Sequence, residues 1–180
     1  MSEDFSELEP RLTETARASL GRAGFLAHNE GSEYVGTEHI LLGVLAQNSS
    51  LGAKILAENG VTLDRVEMAL NLTVKPLVIT IVSKGLSAEV AELIRIAWQL
   101  AVEFGQEKIG TEHIIYGMLQ QHEARATKLL RDMNVDIDNL RGNLEDVFDK
   151  QQFESLQSER SAASKNSGDL RVLEKFGVDL

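Results

Sequence analysis

The chain has 180 residues, 43% of them hydrophobic, with no cysteine and a formal net charge of −10 at pH 7. The lack of cysteine excludes disulfides and thiolate metal sites, and the acidic charge disfavours nucleic acid, whose binding needs clustered Lys and Arg. No apolar run reaches the roughly 20 residues that span a bilayer, and no signal segment follows the acidic N-terminus, so we expect a cytoplasmic protein that binds no membrane.

The first part of the chain predicts four helices after an acidic lead-in over residues 1–12. Ser and Thr are favourable N-caps, and apolar residues recur behind them at helical spacing. The predicted helices are about 14–29 after the cap Thr13, 38–46 after the cap Thr37, 51–58 after a polar break, and a fourth after the cap Thr62.

The second part predicts four more helices, separated from the first by a connector. Residues 73–86 are predicted to be extended, because Pro76 is excluded from a helix interior and β-branched residues follow it. Residues 149–172 are rich in Ser, Gln and charge and predict a flexible linker, and 173–180 resume an apolar pattern. The four helices between are predicted at about 88–104 after Ser87, 112–120 after Thr111, 123–133 and 137–148.

An internal repeat organises this series of helices. Residues 35–43, Val-Gly-Thr-Glu-His-Ile-Leu-Leu-Gly, return as 109–117, Ile-Gly-Thr-Glu-His-Ile-Ile-Tyr-Gly, at an offset of 109 − 35 = 74 residues. The same offset matches residues well to both sides of the motif. We therefore predict an all-α fold of eight helices, built as two four-helix repeats over 13–72 and 87–148 that are related by a pseudo-twofold axis.

The repeated motif has a structural and a functional interpretation. In the structural one, Gly36 and Gly110 make a tight turn, Thr37 and Thr111 cap a helix, and a glutamate in the first turn meets the helix dipole. His39 and His113 are then structural residues that bond to a neighbouring loop. In the functional one, each helix start binds an anion, and the adjacent Glu38 or Glu112 accepts a guanidinium or ammonium group.

At these residues the chain resembles the N-terminal repeat domain of the Clp unfoldases, and most closely the ClpC type. The core at 36–43 is that family's most specific signature, and 110–117 matches it with Ile115 and Tyr116 at the two leucine positions. The resemblance covers about 12–148, and 173–180 is similar to the start of the family's first ATPase module.

The resemblance implies a module that captures protein substrates and adaptor proteins for an ATP-dependent unfoldase feeding the ClpP protease, in quality control and the stress response. It further implies that phosphoarginine marks those substrates. ATP and Mg would serve a hexameric full-length protein, whereas this segment would be a monomer without cofactor, metal or catalytic residues. The implied phosphoarginine-binding residues are Gly36, Thr37, Glu38, Gly110, Thr111 and Glu112.

Other functions remain open. A freestanding Clp-N regulator or decoy without ATPase modules, or the N-domain of a ClpB-like disaggregase, would share the fold. An enzyme is disfavoured, because adjacent Glu and His on a helix point about 100° apart, and no second His follows four residues on, as zinc helices need. The chain also lacks the G-x-x-x-x-G-K-[ST] motif for nucleotide phosphates.

Overall fold

A computed structural model describes residues 7–70 and 85–178, with side chains as far as residue 161. These residues form a short 3₁₀ turn and eight α-helices, which confirms the predicted all-α class. Most of the predicted connector lies outside the described residues. The helices are α1 (Glu14–Glu30), α2 (Thr37–Ala46), α3 (Leu51–Glu58), α4 (Leu63–Leu70), α5 (Ala88–Glu103), α6 (Thr111–Leu119), α7 (Arg125–Asp132) and α8 (Ile137–Val178).

The long helices α1 and α5 begin and end in the same way. Thr13 and Ser87 stand before them, and each side-chain oxygen accepts a backbone N–H of the first turn, at 3.2 Å in both helices. At the other end, Gly31 and Gly105 have φ of 75° and 71°, a left-handed conformation that favours glycine. Both pairs are 74 residues apart, so the repeat extends to the helix boundaries.

The start of each repeat pairs with the motif of the other repeat. Leu12, just before α1, forms a parallel bridge with Ile109, and Leu86, just before α5, forms one with Val35. In the first bridge the Thr13 N–H donates to the Ile109 carbonyl at 2.9 Å, and in the second Ser87 donates to Val35 at the same distance. The two repeats are therefore joined by a reciprocal pair of backbone contacts.

Within each repeat, a glycine brings the short helix against the long one. A Cβ at Gly43 of α2 would lie 2.2 Å from the Ser19 carbonyl oxygen of α1, and one at Gly117 of α6 would lie 2.6 Å from the Leu93 carbonyl oxygen of α5. Around these contacts a single cluster of buried apolar residues draws on both repeats. The motif helices lie at its centre, since nine residues of α2 and eight of α6 are buried.

The last helix is much longer than the sequence predicts. Helix α8 was expected to end near residue 148, but it continues to Val178 without a break. The predicted flexibility of 149–172 is not tested by this helical conformation and stays a prediction. Ser155 of the added length lies at the second repeat, with its Oγ 3.5 Å from the Gly105 carbonyl oxygen.

In the described part of the chain, no single helix is long and apolar enough to cross a membrane. Helices α2 and α3 reach that length and apolarity only as a pair, which is bent by 97°.

Candidate functional site

The two motifs form similar turns at the starts of α2 and α6, here called the first turn (36–39) and the second turn (110–113). The predicted capping role of the threonines is wrong. Gly36 and Gly110 occupy the N-cap positions, so Thr37 and Thr111 are the first helical residues. Glycine is accepted at an N-cap although it has no side chain to contribute.

The threonine side chains instead cap helices of the opposite repeat. Thr37 Oγ1 accepts a hydrogen bond from the Ala126 N–H at the start of α7, at 3.1 Å. Thr111 Oγ1 accepts one from the Gly52 N–H at the start of α3, at 2.8 Å. Both threonines are buried. Each motif therefore supplies an acceptor to a helix start that lies in the other repeat.

The two glutamates fold back over the glycines that precede them. A Cβ at Gly36 would lie 2.4 Å from Glu38 Oε1, and a Cβ at Gly110 would lie 1.8 Å from Glu112 Oε1. Glu38 and Glu112 are each only 7% exposed. A larger residue at either position would therefore displace the glutamate carboxylate from over the turn.

The histidines close both turns through one ring nitrogen. The Gly36 N–H donates to His39 Nδ1, and the Gly110 N–H donates to His113 Nδ1, at 2.9 Å in each case. Since Nδ1 is the acceptor, the proton of the neutral imidazole resides on Nε2. The histidines were predicted to bond to a neighbouring loop, but this hydrogen bond lies within the turn itself.

The other ring nitrogen has different surroundings in the two turns. His39 Nε2 lies 2.5 Å from Glu30 Oε2. Phe104 stands 74 residues after Glu30, so the second repeat has no carboxylate at that position. His113 Nε2 is buried and has no hydrogen-bond partner, and the ring stacks on Phe148 at a centroid distance of 5.2 Å. Burial lowers the pKa of His113 to about 4.

The first turn has a cation close to its carboxylate. Arg125 Nη1, at the start of α7, lies 3.8 Å from Glu38 Oε1, with the arginine largely exposed and the glutamate buried. The two residues are 125 − 38 = 87 positions apart. The spacing of the two residues along the sequence therefore does not predict this contact. It forms because α7 packs against the first turn.

The second turn opens onto a cavity of about 590 Å³. Burial raises the pKa of Glu112, and hydrogen bonds from its own backbone N–H and from Gln151 lower it in part. One side of the cavity is the added length of α8. These residues were predicted to form a linker, and no pattern in the sequence connected them with the site. The lining residues are Thr13, Gly105, Gln106, Glu107, Lys108, Glu112, His113, Gln151, Ser155, Ser158 and Glu159.

Each predicted site triplet thus lies together at one turn, and the two triplets lie at separate helix starts. The Glu-His pairs give no sign of a metal centre. Glu38 Oε1 lies 3.4 Å from His39 Nδ1, and Glu112 Oε1 lies 3.4 Å from His113 Nδ1. Both Nδ1 atoms already accept backbone N–H groups. Among the described residues, no group of three His, Asp or Glu side chains is arranged to hold a metal ion.

A family model described as "Clp repeat (R) N-terminal domain" matches residues 11–82 and 85–178. The chain belongs to this family. Among curated relatives, the Clp repeat chain is 27% identical over 179 residues to an ATP-dependent Clp protease ATP-binding subunit ClpA homolog of Cyanidium caldarium. It is 26% identical over 172 residues to the chloroplastic chaperone protein ClpC of Pisum sativum. The matches cover 94% of this chain but only 19% and 18% of those relatives.

Solved structures of Clp N-terminal domains share the fold. The N-terminal domain of ClpD from Arabidopsis thaliana aligns with a TM-score of 0.62 at 20% identity, over 76% of this chain and 94% of that one. A ClpV N-domain in complex with a VipB peptide aligns with a TM-score of 0.60 at 22% identity, over 76% and 86%. At these identities the likeness shows the shared fold of the Clp repeat domain.

Proposed function

We propose that this Clp repeat domain captures substrate and adaptor proteins for a ClpC-type, ATP-dependent unfoldase that works with the ClpP protease in cytoplasmic protein quality control. The chain spans about a fifth of its ClpA- and ClpC-type relatives, so ATP, Mg and hexamer formation belong to the proposed full-length protein. A peptide complex of the similarly folded ClpV N-domain supports a binding role for the fold.

We further propose that the domain recognises phosphoarginine at residues Gly36, Thr37 and Glu38 of the first turn and Gly110, Thr111 and Glu112 of the second. The observation that carries this proposal is a buried carboxylate in each turn, with a cation 3.8 Å away in the first turn and a lysine lining the same cavity in the second. Phosphoarginine joins a guanidinium to a phosphate, so a site for it needs an acceptor for the N–H groups and a positive group for the phosphate.

The first turn supplies these groups as Glu38 and Arg125, 3.8 Å apart. In the second turn Glu112 and Lys108 line the same cavity. Thr13, the residue just before α1, also lines it. The guanidinium would meet the glutamate, while the phosphate would lie toward the helix start and the cation. A helix start adds positive potential for an anion.

Calorimetric titration of free phosphoarginine into the 180-residue chain tests this proposal. A hydrogen bond to a charged group contributes about 1.5–3 kcal/mol, so Glu38→Ala or Glu112→Ala should weaken its own site roughly tenfold to a hundredfold. Glu67→Ala, an exposed glutamate on α4, is the matched control and should leave both sites unchanged.

Phosphoserine should bind poorly, because it has no guanidinium for the glutamates. A Glu38→Ala, Glu112→Ala double variant that binds phosphoarginine as tightly as the parent would contradict the proposal. The glutamates would then be helix-start residues only.

A further inference from the structure

The part of α8 beyond residue 148, here called the α8 extension (149–160), lies against the second turn. Four of its residues line the 590 Å³ cavity together with the loop 105–108. The Gln151 amide donates a hydrogen bond to the Glu112 carboxylate, and Ser155 Oγ lies 3.5 Å from the Gly105 carbonyl oxygen. A ligand that reaches Glu112 through this cavity must therefore pass beside the α8 extension.

The α8 extension directs polar residues toward the domain and apolar residues toward solvent. Gln151 and Ser155 are half-buried, whereas Phe153 and Leu156 are 60% and 51% exposed. Earlier in the same helix, Phe148 is fully buried in the core. Apolar burial supplies most of the free energy that holds a helix on a domain. The extension is held by polar contacts instead, so its separation from the second turn sacrifices little apolar burial.

The contacts of the α8 extension oppose a ligand at the second turn. The Gln151 amide occupies an acceptor position on Glu112 that an N–H group of a ligand would use. Glu159 adds a carboxylate to a cavity that already has Glu107 and Glu112, whereas Lys108 is the one cation among its described lining residues. An anionic group in this cavity is therefore repelled by charge that the extension itself contributes.

We propose that the α8 extension is an autoinhibitory strap on the second turn, which blocks Glu112 while it lies on the turn and opens the site when it separates. The inference rests on the proposed function only in taking the second turn as a binding site. Glu38 of the first turn is contacted by Arg125 of α7, so release of the strap should change one of the two sites.

A measurement without ligand tests whether the strap covers Glu112. Burial raises the pKa of this carboxyl. Ser155→Pro interrupts the extension, because proline in a helix interior removes a hydrogen bond and clashes with the preceding turn. The pKa of Glu112, followed through its ¹³C carboxyl resonance in the 180-residue chain, should then fall toward its usual range as water reaches the carboxyl. Ser167→Pro is the matched control, because it interrupts the same helix beyond the described cavity residues, and it should leave this pKa unchanged.

Calorimetric titration of phosphoarginine measures the effect of the strap on binding. A site that is closed most of the time binds with an apparent Kd raised in proportion. Ser155→Pro should therefore tighten one of the two sites at least roughly tenfold. Gln151→Ala removes only the competing amide and should tighten that site roughly threefold to tenfold. Gln157→Ala is the control, because Gln157 is an exposed residue of the extension that does not line the cavity, and it should bind as the parent does.

The inference fails if Ser155→Pro leaves the phosphoarginine affinity unchanged, if Ser167→Pro has the same effect as Ser155→Pro, or if Gln151→Ala weakens binding. The last result would make Gln151 a ligand contact instead of a competitor. If no protein in the series binds phosphoarginine, the proposed function fails. The Glu112 titration then decides about the strap alone, since a lowered pKa in Ser155→Pro supports it and an unchanged one overturns it.

Discussion

At the scale of single residues, the two Gly-Thr-Glu-His turns combine one sequence with two sets of neighbours. The hydrogen bond from glycine to histidine and the glutamate folded over the glycine recur in both turns. What differs is the residue reached by the second histidine nitrogen, which is Glu30 in one repeat and none in the other. The histidines of two identical motifs therefore have different hydrogen-bond partners, so the two turns must be tested separately.

The buried imidazole of His113 predicts a pH dependence of stability. Burial lowers its folded pKa to about 4 from the usual 6.5 of a histidine, so between these values the unfolded chain binds more protons than the folded one. Stability is then complete above pH 6.5 and is lost as the pH falls. From pH 7 to pH 5 this one group should reduce the free energy of unfolding by about 2 kcal/mol.

Urea unfolding of the parent and of His113→Gln at both pH values measures this contribution. The loss between pH 7 and pH 5 should be smaller in the variant by about the same 2 kcal/mol, because glutamine does not titrate. Glu112, which faces the ring, titrates in both proteins and its effect cancels to first order. Equal losses in the two proteins would show that His113 titrates alike in the folded and unfolded states.

At the scale of the elements, glycine determines how closely each short helix packs on its long neighbour. Gly43 and Gly117 occupy equivalent positions, where a Cβ would be 2.2 Å and 2.6 Å from a carbonyl oxygen of α1 or α5. A real Cβ cannot approach that closely, so the helices would have to move apart. The apolar residues of α2 and α6 would then lose part of their packing against the shared core.

Gly43→Ala should therefore destabilise the fold by about 1–3 kcal/mol, the typical cost of overpacking. Gly21→Ala is the matched control, because Gly21 is an exposed residue of α1 whose added Cβ would meet nothing within 4 Å. There, alanine should stabilise by about 0.5–1 kcal/mol through its higher helix propensity. Unfolding midpoints in urea give both values, and an unchanged midpoint for Gly43→Ala would contradict this close packing.

At the scale of the whole molecule, the repeats depend on each other for their hydrogen bonds. Thr37 caps α7 and Thr111 caps α3, while the bridges join Leu12 to Ile109 and Val35 to Leu86. A single repeat would leave these backbone groups without partners and its apolar face uncovered. We conclude that the two repeats stabilise each other through reciprocal contacts as well as through the shared core.

Because each motif threonine caps a helix of the other repeat, a substitution at that threonine should destabilise a helix start in the other repeat. Thr111→Val keeps the side-chain volume but removes the acceptor of the Gly52 N–H, so stability should fall by about 1–3 kcal/mol. Amide exchange should accelerate at Gly52, and in Thr37→Val at Ala126. The serine variants retain an oxygen and should keep these amides protected. Acceleration confined to the substituted repeat would contradict the crossed arrangement.

The sequence by itself determined the helical class, the number of helices and the two-repeat plan, because apolar periodicity, capping residues and a constant offset are local properties of a chain. It also identified the residues of both turns, since glycine followed by a glutamate and a histidine is visible without coordinates. The predicted phosphoarginine role came from resemblance, and the calorimetric experiment will decide it.

Only the tertiary structure decided which groups surround the turns. The threonines were predicted to cap their own helices, but packing presents them to helix starts in the opposite repeat. Arg125 reaches Glu38, and Gln151 reaches Glu112, through contacts between helices distant in sequence. Such contacts follow from how the helices pack, and no spacing along the chain encodes them. For that reason the similarity of the two motifs is visible in the sequence, whereas the groups that contact each turn are known only from the fold.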